Sequence, residues 1–328
     1  MSVDLPVHLN LEGVALRTFW ALVSETFNEW LEDKAPRLGA ALAYYAAFSI
    51  SPLLILLVAF AGVFVKGDTL SQVEGEIAVI AGDNAAEAIG AIIRGAHESP
   101  ASSAATILGV ITLIIGATGV FGQLQDAMNT IWEVTPKPRR VWMDILRTRL
   151  LSFALVVAIG VVIVASLILS AFLAAASKYF QEALPITGPV WPVADFALSF
   201  GTTTLLFAMM FKILPDVDIE WRDVWLGAAV TAALFAVGKI GIGLYLGRSS
   251  FKSAYGAAGS FLALLAWVYY SSQILFFGAE FTQVYTVRHG HRFRPARGAR
   301  FMSEEMRAHQ GIPHSTVVEE AFRKDKIA

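Results

Sequence analysis

The sequence predicts an all-α, polytopic membrane protein with six transmembrane helices, an N-terminal interfacial amphipathic helix and both termini in the cytoplasm. Of the 328 residues, 56% are apolar and only 16% are charged, and the mean hydropathy is strongly positive. The apolar residues form blocks of about 25, which is long enough to cross a bilayer, whereas a soluble domain would show amphipathic stripes. The basic residues gather between alternate blocks, which indicates a fixed orientation in the membrane.

Residues 1–37 are predicted to form a cytoplasmic or interfacial segment that contains an amphipathic helix. Its apolar residues recur at three- and four-residue steps: Leu16, Phe19, Trp20, Val23, Phe27, Trp30 and Leu31. Charged residues occupy several of the positions between them. This pattern is typical of a helix that lies in the membrane interface, and a helix that packs on neighbouring protein would show the same one.

Residues 38–286 are predicted to form a single six-helix membrane domain. The predicted spans are about 38–65, 104–131, 149–175, 189–213, 223–247 and 257–284. Each is long enough to cross roughly 30 Å of hydrocarbon at about 1.5 Å per residue. Between the first two spans, residues 66–103 are predicted to form an extracytoplasmic helical segment that caps the bundle.

The distribution of basic charge predicts that both termini are cytoplasmic. Most of the 25 basic residues lie in the N-terminal segment, in the connection after the second span, or in the basic cytoplasmic tail at 287–328, and Lys212 and Arg222 beside the connection after the fourth span join them. The short connection is the stronger indicator, because the positive-inside rule applies best to short loops. The tail residues just beyond the last span could also attract anionic lipid headgroups, at about 1 kcal/mol each, although a topology signal alone would look the same. These lipid candidates are Arg288, Arg292, Arg294 and Arg297.

Pro52 predicts a bend in the first span. It stands in the stretch "YYAAFSISPLL", residues 44–54, which contains unusually many polar groups for a span. A proline in a helix frees the carbonyl four residues back, here that of Phe48, and nearby hydroxyls or a neighbouring helix must satisfy it. Two interpretations remain open: a structural kink, or a hinge that forms the wall of a functional site.

Depth along the spans predicts an inner polar layer near the cytoplasmic ends of the helices. An ionisable group at membrane depth costs about 2.5 to 3.5 kcal/mol, so it is expected to face a partner, a water-filled cavity or a site. Asp126 and Glu280 could instead lie simply at the membrane interface. The candidate residues of this layer, taken as the wall of a substrate pathway, are Tyr44, Tyr45, Gln125, Asp126, Asn129 and Glu280.

A thinner outer layer is predicted from Lys239 and Asp195. Lys239 lies roughly 12 Å and Asp195 roughly 9 Å from the outer ends of their spans, so their depths match. They form either an ion pair or, in the alternative, a site where Lys239 faces an aqueous cavity and binds an anionic group. Glycines surround Lys239, at Gly238 and Gly241 among others, and predict either close helix packing or a substrate-facing groove.

Four stretches of the chain resemble the YihY/BrkB family of bacterial inner-membrane proteins. They are "ALAYYAAFSISPLLILLVA", "GVFGQLQDAMNTIWEV", "LPDVDIEWRDVWLGA" and "YGAAGSFLALLAWVYYSSQILFFGAEFTQVY". The resemblance covers residues 15–290 and implies one six-helix domain in the bacterial cytoplasmic membrane. Members of this family have been labelled ribonuclease BN, but a metal-dependent nuclease needs clustered His and Asp ligands, and the "HGH" at 289–291 has no acidic neighbours.

The leading functional hypothesis is a transporter or permease for a small polar or anionic solute, or for a lipid. Polar groups at depth and a bent helix are what such a pathway requires. The alternative is a scaffold for envelope biogenesis that binds lipid or partner proteins and transports nothing. An enzyme is not predicted, because no paired carboxylates, nucleophile with base or metal cluster appears, and the chain has no cysteine. No cofactor, metal or nucleic acid is therefore expected. The expected partners are membrane lipids, a small-molecule or lipid substrate, a second copy of the chain or envelope proteins.

Overall fold

The computed structural model describes residues 11–64, 119–137, 190–248, 258–289 and 293–325, with isolated helical positions between 158 and 169. The predicted extracytoplasmic segment 66–103 and most of the predicted third span lie outside these residues. The long helices are α1 Leu11–Glu32, α2 Ala35–Phe64, α3 at 119–131, α4 Val190–Ile213, α5 Trp221–Arg248 and α6 Ala258–Arg288.

Three helices of the described part are long and apolar enough to cross a membrane, through Phe196–Ile213, Trp221–Gly241 and Phe261–Arg288. A mostly helical membrane architecture is therefore confirmed. The total of six spans and the side of the termini remain predictions. Many of the exposed side chains on these helices are apolar, among them Phe196, Val237 and Ile240, which suits contact with lipid.

Helix α2 continues without interruption past Pro52 to Phe64. The hydroxyl of Ser49 donates a hydrogen bond to the carbonyl of Ala46 at 3.0 Å, so it does not serve the carbonyl of Phe48. The side chain of Pro52 lies outside the described ones. The kink at this position therefore remains a prediction.

Four short strands in the described part depart from the all-α expectation. Strand β1, Val134–Pro136, pairs antiparallel with β4, Ala299–Phe301, and β2, Val217–Asp218, pairs antiparallel with β3, Arg294–Pro295. Strands of two or three residues are too short to show an alternating pattern in a sequence. They form because the connections after α3 and α4 need partners for their backbone groups, and the chain beyond α6 supplies them.

Residues 293–325, here called the C-terminal segment, fold against the helix bundle. After β3 and β4 they form α7, Glu304–Gln310, and α8, Ser315–Asp325. The side chain of Ser303 caps the start of α7, and Gly311, with φ of 75°, ends it in the left-handed conformation that favours glycine. The predicted basic tail therefore contains defined secondary structure.

The buried core lies at one end of the bundle, here called the basal face. Met128 and Trp132 at the end of α3 are fully buried there, with Phe211 near the end of α4 and Phe276 in α6. The corner between α1 and α2, the connections after α3 and α4, and the C-terminal segment all meet at this face. The distribution of basic residues in the sequence predicts that these same segments lie on one side of the membrane.

Candidate functional site

A cavity of about 480 Å³ opens at the basal face. Asp33 and Arg37 line it from the corner between α1 and α2, and the end of α3 contributes a polar wall. The C-terminal segment contributes further lining residues. The lining side chains from these two parts of the chain are Asp126, Asn129 and Thr130 on α3, and Met302, Gln310 and Ile312 on the C-terminal segment.

Two residues of the predicted inner layer bind the same carboxylate. The amide of Asn129 donates to Asp216 at 3.0 Å and accepts from the backbone N–H of Asp216 at 2.8 Å. The amide of Gln125 donates to the same carboxylate at 3.3 Å. Asp216, in the connection between α4 and α5, was missed by the sequence analysis, although it stands in the quoted stretch "LPDVDIEW".

Arg307 of α7 joins the C-terminal segment to the bundle. Its guanidinium donates to the carboxylate of Asp33 at 2.9 Å and lies 3.5 Å from that of Glu133. The side chains of Arg307 and Asp33 are only 1% and 2% exposed. Charges buried to this extent are tolerated in proteins only when they are paired, so the two residues depend on each other.

Further contacts hold the end of α7. The ammonium of Lys34 donates to the carbonyl of Gly311, and the guanidinium of Arg37 donates to that of Gln310 at 3.4 Å. Cations are favoured beside the free carbonyls at the end of a helix. His314 lies between the carboxylates of Glu304 and Glu133, with its Nε2 atom 3.1 Å from Glu133.

Lys34 and Glu133 have a strained backbone. Their φ angles are 52° and 51°, and they are the non-glycine residues of the described part with positive φ. Such a conformation costs of order 1 to 3 kcal/mol and persists only where surrounding contacts fix it. Both side chains contact the C-terminal segment, so the strain coincides with the contacts at this face.

The charges at the basal face perturb one another. Burial raises the pKa of Asp33 to about 7, against the opposing effect of the Arg307 guanidinium, and burial raises the pKa of Glu29 as well. Desolvation lowers the pKa of His314, but hydrogen bonds to Glu304 and Glu133 outweigh it and the net shift is upward. The exposed Glu304 has a lowered pKa: slight desolvation opposes the shift, and the contact with His314 prevails.

Glu280 of α6 is buried, with 1% exposure, and lies in electrostatic reach of Asp33, Glu29 and Arg307. Its Oε1 atom has no hydrogen-bond partner among the described residues. The predicted inner layer thus divides in two. Gln125 and Asn129 bind Asp216, whereas Glu280 adjoins the charges around Arg307.

The other predicted pathway residues lie apart from the basal cavity. Tyr44 and Tyr45 are exposed on α2, and the ring of Tyr45 lies close beside the backbone of Gly119. Lys239 is exposed on α5, and the side chain of Asp195 lies outside the described ones. Their roles in a pathway, and the pairing of Lys239 with Asp195, remain predictions.

The lipid-headgroup candidates differ in their surroundings. Arg288 forms an exposed ion pair with Glu25 of α1 at 3.2 Å. Arg294 and Arg297 are exposed, and Arg292 lies outside the described residues. In the part of the chain that the structure describes, no group of three or more His, Cys, Asp or Glu side chains could hold a metal ion.

Sequence reasoning also missed Asp33, Glu133, Arg307 and His314. Arg307 and Asp33 are 274 residues apart in the chain. The signal at Asp33 was a charged residue directly before the first apolar block, a position that suits an interfacial residue equally well. Only the folded arrangement shows that these residues meet.

Comparison with known proteins identifies relatives of the chain. The family model described as "Virulence factor BrkB" matches residues 26–302. A "UPF0761 membrane protein" of Stenotrophomonas maltophilia is 28% identical over 263 residues, covering 77% of this chain and 58% of the relative. Similar proteins of Ralstonia nicotianae and Alcanivorax borkumensis are 26% and 25% identical, covering 76% and 88% of this chain and 55% and 64% of those relatives. The chain thus spans somewhat more than half the length of these curated relatives. No solved structure matches.

Proposed function

The chain belongs to the Virulence factor BrkB family and is a multi-pass protein of the bacterial inner membrane, and from this premise we propose that it is a permease. It moves a small polar or anionic solute, or a lipid, across that membrane. The observation that supports this most directly is the basal cavity, whose polar wall lies at the end of a membrane helix. Polar side chains near the end of a span, here Asp126 and Asn129, are tolerated where they face a partner or a water-filled space.

The composition of the cavity suits a polar substrate. Asp33 and Asp126 supply carboxylates, Arg37 supplies a cation, and Thr130 supplies a hydroxyl. A volume of about 480 Å³ lies within the range of about 300 to 1,000 Å³ that is common for small-molecule sites. A headgroup or a solute of a few heavy atoms would fit beside these groups.

One observation favours the alternative, a scaffold that transports nothing. Gln125 and Asn129 are satisfied by Asp216 and so stabilise the bundle in the way that polar residues join membrane helices. A scaffold would use all of its buried polar groups in this manner. The distinction therefore depends on whether material moves across a bilayer that contains the protein.

The experiment uses purified full-length protein in phosphatidylcholine vesicles. Bleaching of NBD-phosphatidylcholine by dithionite measures lipid movement, and stopped-flow light scattering measures entry of glycerol and of sodium glutamate. Protein-dependent movement in either assay is expected, and it should fall several-fold in Asp126→Asn, which changes the cavity wall. Glu319→Gln, an exposed carboxylate on α8, is the matched control. Vesicles that show no protein-dependent movement in any assay would support the scaffold.

Lys239 is proposed to bind anions at the outer end of the pathway. The change Lys239→Met removes the charge and keeps a side chain of similar length. Glutamate entry should then fall more than glycerol entry, because only the anion gains from the ammonium. Lys137→Met, at the basal face, is the control. Equal rates for Lys239→Met and the unmodified protein would exclude Lys239 from the pathway.

A further inference from the structure

We propose that residues 299–312 form a latch on the basal cavity: Met302, Gln310 and Ile312 of this stretch line the cavity, and the contacts of Arg307 with Asp33 and Glu133 hold the stretch there. Release of this latch would open the cavity on that side. As a means of regulating transport, the latch rests on the proposed permease function. As a structural switch, it can be tested without any transported substrate.

The first argument is position. Met302, Gln310 and Ile312 line the same cavity as Asp126 and Asn129. These three residues belong to one short stretch of chain beyond the last membrane helix. Movement of that stretch would therefore remove part of the cavity lining and leave α3 and α4 in place.

The second argument is the nature of the contacts. The latch buries few apolar side chains, chiefly Ala299 and Ile312, and most of its other residues are exposed. It is held instead by the three residue pairs of β1 with β4, by Arg307, and by Lys34 and Arg37 at the end of α7. A unit with few buried apolar contacts opens more readily than a core helix.

The third argument is that the residues in these contacts can also adopt an undocked state, in which they contact water. Undocking would leave Asp33 and Arg307 without each other, and water would have to replace the lost partner. It would also remove the contacts that the side chains of Lys34 and Glu133, both in the left-handed backbone conformation, make with the C-terminal segment. The caps of α7, Ser303 and Gly311, lie within the same stretch, so its end groups keep these partners when the stretch moves.

The absence of cysteine provides a direct test, since a single introduced thiol has no competitor. Val134 is 1% exposed, packs in the core cluster beside Trp132 and pairs with Phe301 of β4, so the thiol of Val134→Cys is shielded while β4 is docked and should react faster when β4 leaves β1. In full-length protein in nanodiscs, its labelling by a polar maleimide should be slow. Adding Arg307→Ala should raise the rate about tenfold or more, because opening of the unit then becomes more frequent.

Two further variants show whether the guanidinium itself is responsible. Arg307→Lys keeps the charge but cannot bind two carboxylates as a planar fork, so it should give an intermediate rate. Arg300→Ala is the matched control, because Arg300 lies exposed on β4 and contacts the sulphur of Met306. Equal labelling rates in all of these variants would overturn the proposal.

A second measurement does not depend on how Arg307→Ala folds. Val134 and Phe301 form a non-hydrogen-bonded pair, because Met302 N–H donates to the carbonyl of Glu133 at the adjacent position. Cα atoms in such a pair are about 4.5 Å apart, which a disulfide can bridge. The variant with Val134→Cys and Phe301→Cys should therefore cross-link on mild oxidation, and adding Glu133→Gln should slow this several-fold.

The outcomes separate the two proposals. If labelling and cross-linking respond to Arg307 and Glu133 but no lipid or solute moves, the latch stands and the permease does not. If transport occurs and neither measurement responds, the latch is wrong while the permease remains. Failure of the thiols at 134 and 301 to cross-link in the otherwise unmodified chain would also overturn the latch, since the two residues would not be paired.

Discussion

Arg307 shows at the scale of one residue why the basal face was hard to predict. In the sequence it is one basic residue among several beyond the last span, and its charge contributes to the topology signal like any other. In the structure it is buried between Asp33 and Glu133. Periodicity and charge counts describe neighbours along the chain, and this contact joins three distant segments. The inner-layer residues Asp126 and Asn129 were predictable, because a polar residue inside an apolar block stands out by itself.

The protonation of His314 predicts a pH-dependent latch. Its folded-state pKa is raised above 6.5, so its contribution to docking is fully present below that pH and is lost as the pH rises through the folded value. For Asp33, burial raises the pKa to about 7, which favours the folded protein at low pH, whereas the Arg307 guanidinium of the latch favours the ionised carboxylate. Glu133 and Glu304 face His314 directly, with Arg307 nearby. Deprotonation of His314 removes the positive charge that lies between the carboxylates of Glu133 and Glu304.

Labelling of Val134→Cys should therefore accelerate between about pH 6 and about pH 8 by more than the thiol chemistry itself requires. Rates are divided by those for glutathione under the same conditions, which removes the effect of thiolate formation. His314→Gln keeps a polar side chain without the titration and should flatten the corrected profile. A profile as steep in His314→Gln as in the parent would assign the pH dependence to other groups.

At the scale of elements, α5 and α6 pack through two reciprocal pairs of glycine and threonine. A Cβ atom on Gly227 would lie 1.8 Å from the hydroxyl of Thr282, and one on Gly278 would lie 1.9 Å from that of Thr231. Each hydroxyl donates to a carbonyl four residues back in its own helix, so it needs no partner across the interface. The two helices therefore approach closely at both positions.

The change Gly278→Ala should destabilise the protein by about 1 to 3 kcal/mol, because the new methyl group has no room beside Thr231. Thermal unfolding of the purified protein in detergent measures the effect. Gly201→Ala on α4 is the control, since a Cβ there meets no atom within 4 Å. It should be neutral or slightly stabilising, as alanine favours a helix over glycine by about 1 kcal/mol. Equal melting temperatures for Gly278→Ala and Gly201→Ala would contradict the close approach.

The long helices were predictable and the short elements were not. Blocks of apolar residues located α4, α5 and α6 closely, because a span must be long and apolar to satisfy its environment. Glycine-mediated packing was expected around Lys239, and it is present at Gly238, where a Cβ would lie 2.2 Å from the hydroxyl of Tyr270 in α6. A further close approach of α5 to α6, at Gly227 near the start of α5, was not predicted. The strands were not predicted, because each one pairs with a segment that is remote in the sequence.

At the scale of the whole molecule, the segregation of basic charge anticipated which segments share a face. The corner at Lys34, the connection that begins with Glu133, the one that contains Asp216 and the C-terminal segment do meet. Charge counts indicate that these segments lie on the same side of the membrane, but they do not indicate which residues contact one another. The contacts follow from the ends of the helices, whose unsatisfied backbone and charged groups need partners once the spans are assembled.

The predicted orientation places this face in the cytoplasm, and single thiols in the cysteine-free chain can test it. Ser102→Cys lies in the segment predicted to be extracytoplasmic, and Thr316→Cys lies exposed on α8. In spheroplasts, an impermeant maleimide should label Ser102→Cys at once and Thr316→Cys only after lysis, because the positive-inside rule holds the basic connection after α3 in the cytoplasm. Lys137→Cys, in that connection, should behave as Thr316→Cys does. Immediate labelling of Thr316→Cys in intact spheroplasts would reverse the orientation, and His314, next to the latch, would then respond to the pH outside the cell.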